Sequence, residues 1–139
     1  MKYWPVLLMV IYTCNTHAVV FDCSRKAQIM GGAVNHHWLK TDTKNAGMGS
    51  GNDGLIGDHF EAPYATHVFV IDHSNQTAEK CKEIKDIDED CVNEQLDIGK
   101  PLGRFNLINN CQTFVSGILK ECKTNKPDKY NSYGDYNAN

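Results

Sequence analysis

The chain has 139 residues, 41% hydrophobic and 22% charged, with 14 Lys and Arg against 17 Asp and Glu and a formal charge of −3. That is the composition of one compact domain, which excludes a disordered or fibrous chain and leaves no room for a second domain. With no cationic surplus to neutralise phosphates or an anionic bilayer, the balance also argues against nucleic-acid binding.

Residues 1–18 read as a secretory signal: Lys2 gives a charged start, residues 6–12 (VLLMVIY) an apolar run, and Thr16-His17-Ala18 a small-residue cleavage site. The run is too short to span a bilayer. The expected plan is a signal over 1–18, a domain over 19–123 and a loose tail over 124–139, giving a secreted protein, extracellular or periplasmic, with no membrane anchor. Cleavage removes Cys14 and leaves Cys23, Cys81, Cys91, Cys111 and Cys122. An oxidising compartment turns neighbouring thiols into bridges, and an odd count leaves one over.

In chain order, residues 22–30 (DCSRKAQIM) read as a short helix capped by Asp22 and stopped by Gly31-Gly32. Residues 33–41 (AVNHHWLKT) read as a strand. The composition then shifts to Gly, Asn and Asp over 42–65, an irregular loop of a length usually found near a site. Residues 66–72 (THVFVID) are the clearest strand, β-branched and aromatic between polar ends. The charge-rich run 80–91 reads as a solvated excursion between Cys81 and Cys91. A helical turn is expected over 91–96, a turn cluster over 99–103 and a short strand over 104–108 (RFNLI). Asn75-Gln76-Thr77 is a glycosylation acceptor pattern, meaningful in a eukaryotic host.

The strongest periodicity lies in residues 110–122. Cys111, Phe114, Val115, Ile118, Leu119 and Cys122 fall on one helical face, with Asn109 or Asn110 as the N-cap. Cys111 thus opens the helix, where backbone N–H groups and the helix dipole favour a thiolate. Along that helix Cys111 and Cys122 stand about 16 Å apart, beyond the roughly 7 Å that a disulfide spans. Cys81 with Cys91 and Cys23 with Cys122 is the simplest pairing, which leaves Cys111 as the thiol. The competing arrangement makes Cys23 the nucleophile, with His67 as base, and sends Cys111 and Cys122 to separate partners among Cys81 and Cys91. Helix quality and cap position favour Cys111.

A thiolate needs a base, and residues 19–139 offer His36, His37, His59, His67 and His73. Neighbours in a strand point to opposite faces, so of His36 and His37 only one can face a given helix. The expected site is Cys111 as nucleophile, His37 as base and His67 as the group that orients it. His36, His37, His59, His67 and Asp72 lack the spacing of a metal site, and MGSGNDG lacks the Gly-Lys-Ser/Thr ending of a phosphate loop. No metal or cofactor is expected.

Asn109-Asn110-Cys111-Gln112-Thr113-Phe114, preceded by Arg104-Phe105-Asn106-Leu107, resembles the nucleophile helix of circularly permuted papain-like proteins, the lecithin:retinol acyltransferase group and the PPPDE desumoylating peptidases among them. In these the histidine strand precedes an Asn-Cys motif with an aromatic three residues on. His37-Trp38 is similar to the His-Trp pair that opens the acyltransferase group's histidine strand. The wider pattern over residues 33–122 is similar to type VI amidase effectors, which cleave cell walls, and to their domesticated secreted eukaryotic relatives. The alternative order, cysteine before histidine as in NlpC-type peptidases, fits Asp22-Cys23-Ser24 followed by Thr66-His67-Val68.

The expected fold is therefore α+β, a small antiparallel sheet including 33–41 and 66–72 packed on the nucleophile-bearing helix 110–122 in a papain-like core, permuted if Cys111 is the nucleophile. The resemblance implies a secreted, monomeric cysteine amidase acting on the peptide stems of bacterial peptidoglycan. The alternatives are a non-catalytic, disulfide-stapled binding protein and a lipid acyltransferase, the latter disfavoured by the missing anchor.

Overall fold

The computed structural model describes residues 19–28, 30–50 and 66–125. The signal segment, His59, the centre of the glycine-rich loop and nearly all of the tail lie outside the described residues. The described chain is α+β. Its strands are β1 (Val20–Lys26), β2 (Asn35–Lys40), β3 (Asn45–Gly49), β4 (His67–Asp72), β5 (Lys80–Ile84) and β6 (Pro101–Arg104), and its helices α1 (Glu89–Gln95) and α2 (Cys111–Glu121). The strands form one antiparallel sheet in the order β5-β1-β2-β3-β4-β6.

Four local expectations need correction. Residues 22–26 are strand rather than helix, because β1 lies between β2 and β5, with Cys23 opposite both Trp38 and Cys81; non-local pairing overrides a weak local helix preference. The Gly31-Gly32 pair turns the chain from β1 towards β2, with φ of 61° and 79° that a side chain would resist. The stretch 80–91 is an exposed edge strand followed by α1, whose Asp88 cap accepts from the Cys91 N–H. Residues 104–108 do not extend β6, because the Asn106 side-chain oxygen accepts from the Ile108 and Asn109 N–H groups and folds them into a turn.

The fourth concerns β3 (NAGMG), which lies in the stretch read as irregular and contains no β-branched residue. The first of its two glycines admits a close approach: a Cβ on Gly47 would lie 2.6 Å from Trp38 Cβ and 3.2 Å from His73 Cε1. Gly47→Ala should therefore destabilise the fold by about 2–3 kcal/mol as the indole is forced to move. Urea unfolding measures this, and an unchanged midpoint would contradict so tight a contact.

One face of the sheet carries Val20, Leu39, Ala46 and Val70, packed under Val92 and Leu96 of the α1 segment and Val115, Ile118 and Cys122 of the α2 segment. Met48 and Val68 continue that face towards the start of α2, against Cys111 and Phe114. The helical periodicity of the sequence is thus the face that α2 buries. The opposite face is buried as well, at Cys23, His36, Trp38 and Ile71.

The disulfides are Cys23–Cys81 and Cys91–Cys122, which corrects the expected partners. Cys23 and Cys81 are register neighbours on adjacent strands, and the second bridge ties α1 to the end of α2. Spacing along the chain could not reveal either, because both depend on β1 being a strand and on α1 docking beside α2. Peptide mapping of the unreduced protein should recover these two linked pairs with an alkylating label on Cys111; a label on Cys23 would refute the pairing. Such bonds belong to oxidising compartments. Among the described residues no helix is long and apolar enough to cross a membrane.

Candidate functional site

The site begins with the cap of α2. Asn110 Oδ1 accepts from the N–H groups of Gln112 and Thr113 at 3.1 Å each, and Thr113 Oγ1 accepts in return from the Asn110 N–H at 2.9 Å. This reciprocal box fixes the first turn without help from the sheet. The loop before it is also held by asparagines: Asn109 Nδ2 donates to the carbonyls of Leu102 and Arg104, and Asn110 Nδ2 to that of Leu107. Leu107 and Ile108 stand on this loop 87% and 84% exposed.

Of the described cysteines, Cys111 is the one that remains a thiol. Half-buried at the first position of α2, it packs on Met48 and Val68, and its Sγ lies 3.9 Å from the Asn35 carbonyl oxygen at the start of β2. His37 lies on the same face of β2 as Asn35, one alternate step or roughly 7 Å along the strand. Its register neighbour Ser24 and the diagonal Asp22 share that face. His37 Nδ1 donates to Asp22 Oδ1 at 2.9 Å. The hydrogen bond leaves Nε2 as the position that accepts a proton. The helix face of β2 thus presents an imidazole oriented by a carboxylate, next to the carbonyl that Cys111 touches.

The expected trio is only partly assembled. Cys111 and His37 share a face, and His37 rather than His36 is the histidine turned towards α2. His67 is exposed on β4 beside the buried Val68 that faces Cys111, so strand alternation turns it to the other side, opposite Arg104 in register. The side chain that holds the His37 ring is instead Asp22, a residue of β1 rather than a helix cap. Read as a turn between two strands, Gly31-Gly32 would have brought residues 22–26 alongside β2, but would not have fixed the register that sets Asp22 diagonal to His37. Cys23, the alternative nucleophile, is in a disulfide.

A second histidine pair lies on the far face. His36 Nε2 and His73 Nε2 are 2.8 Å apart, their rings stack 5.1 Å apart, and Trp38 lies against both. His73 Nδ1–H donates to the Ile71 carbonyl, so its Nε2 accepts and His36 Nε2–H donates. Exposure is 2% and 0%. Burial above all holds His36 at about 3, with the charges of His73, Arg25 and His37 adding to it. His73 is held at about 4 by burial, aided by Arg25 and partly offset by the Ile71 carbonyl and Asp72. Both rings are neutral and belong to the core. Among the described residues no group of three or more His, Cys, Asp or Glu is placed to hold a metal.

A scan against protein-family models and searches of curated proteins and of solved structures found no match to the chain.

Proposed function

We propose that the protein is a secreted cysteine hydrolase of papain-like design that cleaves peptide cross-links of bacterial peptidoglycan. The observation that carries the reading is the Asp22–His37 pair on the sheet face against which α2 lays Cys111. His37 Nε2 takes the thiol proton and the Cys111 sulfur attacks the scissile carbonyl carbon. The oxyanion collapses to a thioester as the amine leaves with the proton from His37. Water then attacks the thioester, again with His37 as base, releasing the acid and restoring the thiol. The cap commits the N–H groups of Gln112 and Thr113 to Asn110, so the Cys111 amide is the first-turn donor assigned to the oxyanion. The peptide-stem substrate rests on the resemblance of residues 33–122 to cell-wall amidases, and secretion on residues 1–18 together with the two disulfides.

Purified cell wall incubated with wild type and with Cys111→Ala is the test. Muropeptide products from the wild type alone are expected; equal release by both proteins would overturn the assignment. A second reading, acyl transfer from lipid, is favoured by the exposed Leu107 and Ile108 immediately before the α2 cap, which suit an aliphatic substrate. It calls for a thioester on Cys111 after incubation with phospholipid vesicles, detectable as an acyl mass added to the intact protein.

A further inference from the structure

Gln112 is exposed at the second position of α2, and the capping box satisfies that turn without its side chain. Its carboxamide instead reaches across the chain: Nε2 donates to the Asn35 carbonyl at 3.3 Å, the same oxygen that lies 3.9 Å from Cys111 Sγ. Two consecutive residues of the helix therefore converge on one backbone oxygen of β2, one same-face step from His37. We infer that Gln112 is a positioning residue that pins the first turn of α2 to β2 and so sets the reach between the Cys111 sulfur and His37. The inference rests on the thiol-hydrolase reading and adds a residue to it.

The physical reason is geometric. The sulfur sits at the end of a helix whose own ladder and cap fix its internal shape but not its distance from the sheet, while His37 is fixed to the sheet through Asp22. Apolar packing of Cys111 on Met48 and Val68 resists compression but permits sliding, and the contacts to Asn35 join the same two bodies beside it. A directional hydrogen bond is what resists sliding. Losing it should leave the helix folded and let the sulfur move away from the imidazole, so that the thiolate loses its imidazolium partner.

The experiment is the rate of Cys111 alkylation by iodoacetamide against pH, for wild type and for Gln112→Met, which keeps length and volume but cannot donate. In the wild type the thiolate should persist below pH 7. In Gln112→Met the profile should move towards an ordinary thiol, with a rate at pH 6 lower by about fivefold to tenfold, the worth of one hydrogen bond. The two rates should agree at pH 9, where both thiols are ionised, and the melting temperatures should coincide. On cell-wall substrate the loss should appear in kcat with KM unchanged. Superimposable profiles from an activated wild type would overturn the inference and leave the hydrolase standing. So would a raised KM with an unshifted profile, which makes Gln112 a substrate contact, or a lowered melting temperature with an unshifted profile, which makes it merely structural. A wild-type Cys111 with no reactivity below pH 7 would instead remove the hydrolase reading, and this inference with it.

Discussion

Asp22→Asn is expected to lower kcat for Cys111-dependent hydrolysis about a thousandfold while leaving the sheet folded. In the native site the carboxylate accepts from His37 Nδ1–H at 2.9 Å, which fixes the tautomer with Nε2 open to receive a proton. It also stabilises the imidazolium that forms as the thiol ionises. An asparagine can present its NH2 to Nδ1 instead, which moves the ring proton to Nε2 and abolishes base function; the carboxylate behind a serine hydrolase's histidine is worth about 10⁴ in kcat, and a thiol, which ionises more readily, leans on it less. Both side chains are about a quarter exposed, and asparagine keeps the size of Asp22 and a hydrogen bond to Nδ1, so the sheet stays folded. His67→Ala, on the other side of the sheet, should change kcat less than twofold. Steady-state kinetics on cell wall for the two variants tests the pair of statements: equal rates for Asp22→Asn and wild type, or a large loss in His67→Ala, would return the orienting part to His67.

How far the sequence made this arrangement readable depended on whether a signal was local. Residues 110–122 could be read because helix period, cap and apolar stripe all lie within one short stretch, and the capping box at Asn110 and Thr113 adds a local reason. β4 was readable because its β-branched residues follow one another. The opposite faces of His36 and His37 followed from strand alternation alone. Asp22 was missed because its role depends on lying across two strands from a residue 15 positions away, and Asp-Cys-Ser-Arg-Lys has neither strand composition nor alternation to suggest β1. The disulfide partners were missed for the same reason, since both bridges close only after non-local pairing is known. β3 carries no strand residues at all; Gly47 is there to let Trp38 approach, which is visible only from the packing.

The far face of the sheet produces the strongest dependence on pH. Lowering the pH from 7 to 5 should reduce the free energy of unfolding by roughly 3–4 kcal/mol. Unfolded, His36 and His73 would titrate near 6.5; folded, they are held at about 3 and about 4. Above 6.5 both states hold neutral rings and the pair imposes no pH dependence. As the pH falls below 6.5 the unfolded chain binds protons that the folded chain refuses, so stability declines by about 1.4 kcal/mol per pH unit for each histidine until the folded values are reached. The geometry explains why the folded chain refuses them. His73 Nδ1–H is committed to the Ile71 carbonyl, so a proton added to its Nε2 would face the Nε2–H of His36 across 2.8 Å, with Trp38 against both rings. Protonating His73 thus breaks the contact between the rings, and a proton on either ring leaves a buried charge beside Arg25, whose field already opposes it. Because His36 is the immediate neighbour of His37 in β2, opening this pair also releases the strand that carries the candidate base, and activity should fall with the fold rather than ahead of it. Urea unfolding between pH 5 and 7, with ellipticity and the alkylation rate of Cys111 followed on the same samples, measures both. A free energy of unfolding that stays flat across that range would show that the buried pair is protonated or solvated in the folded protein.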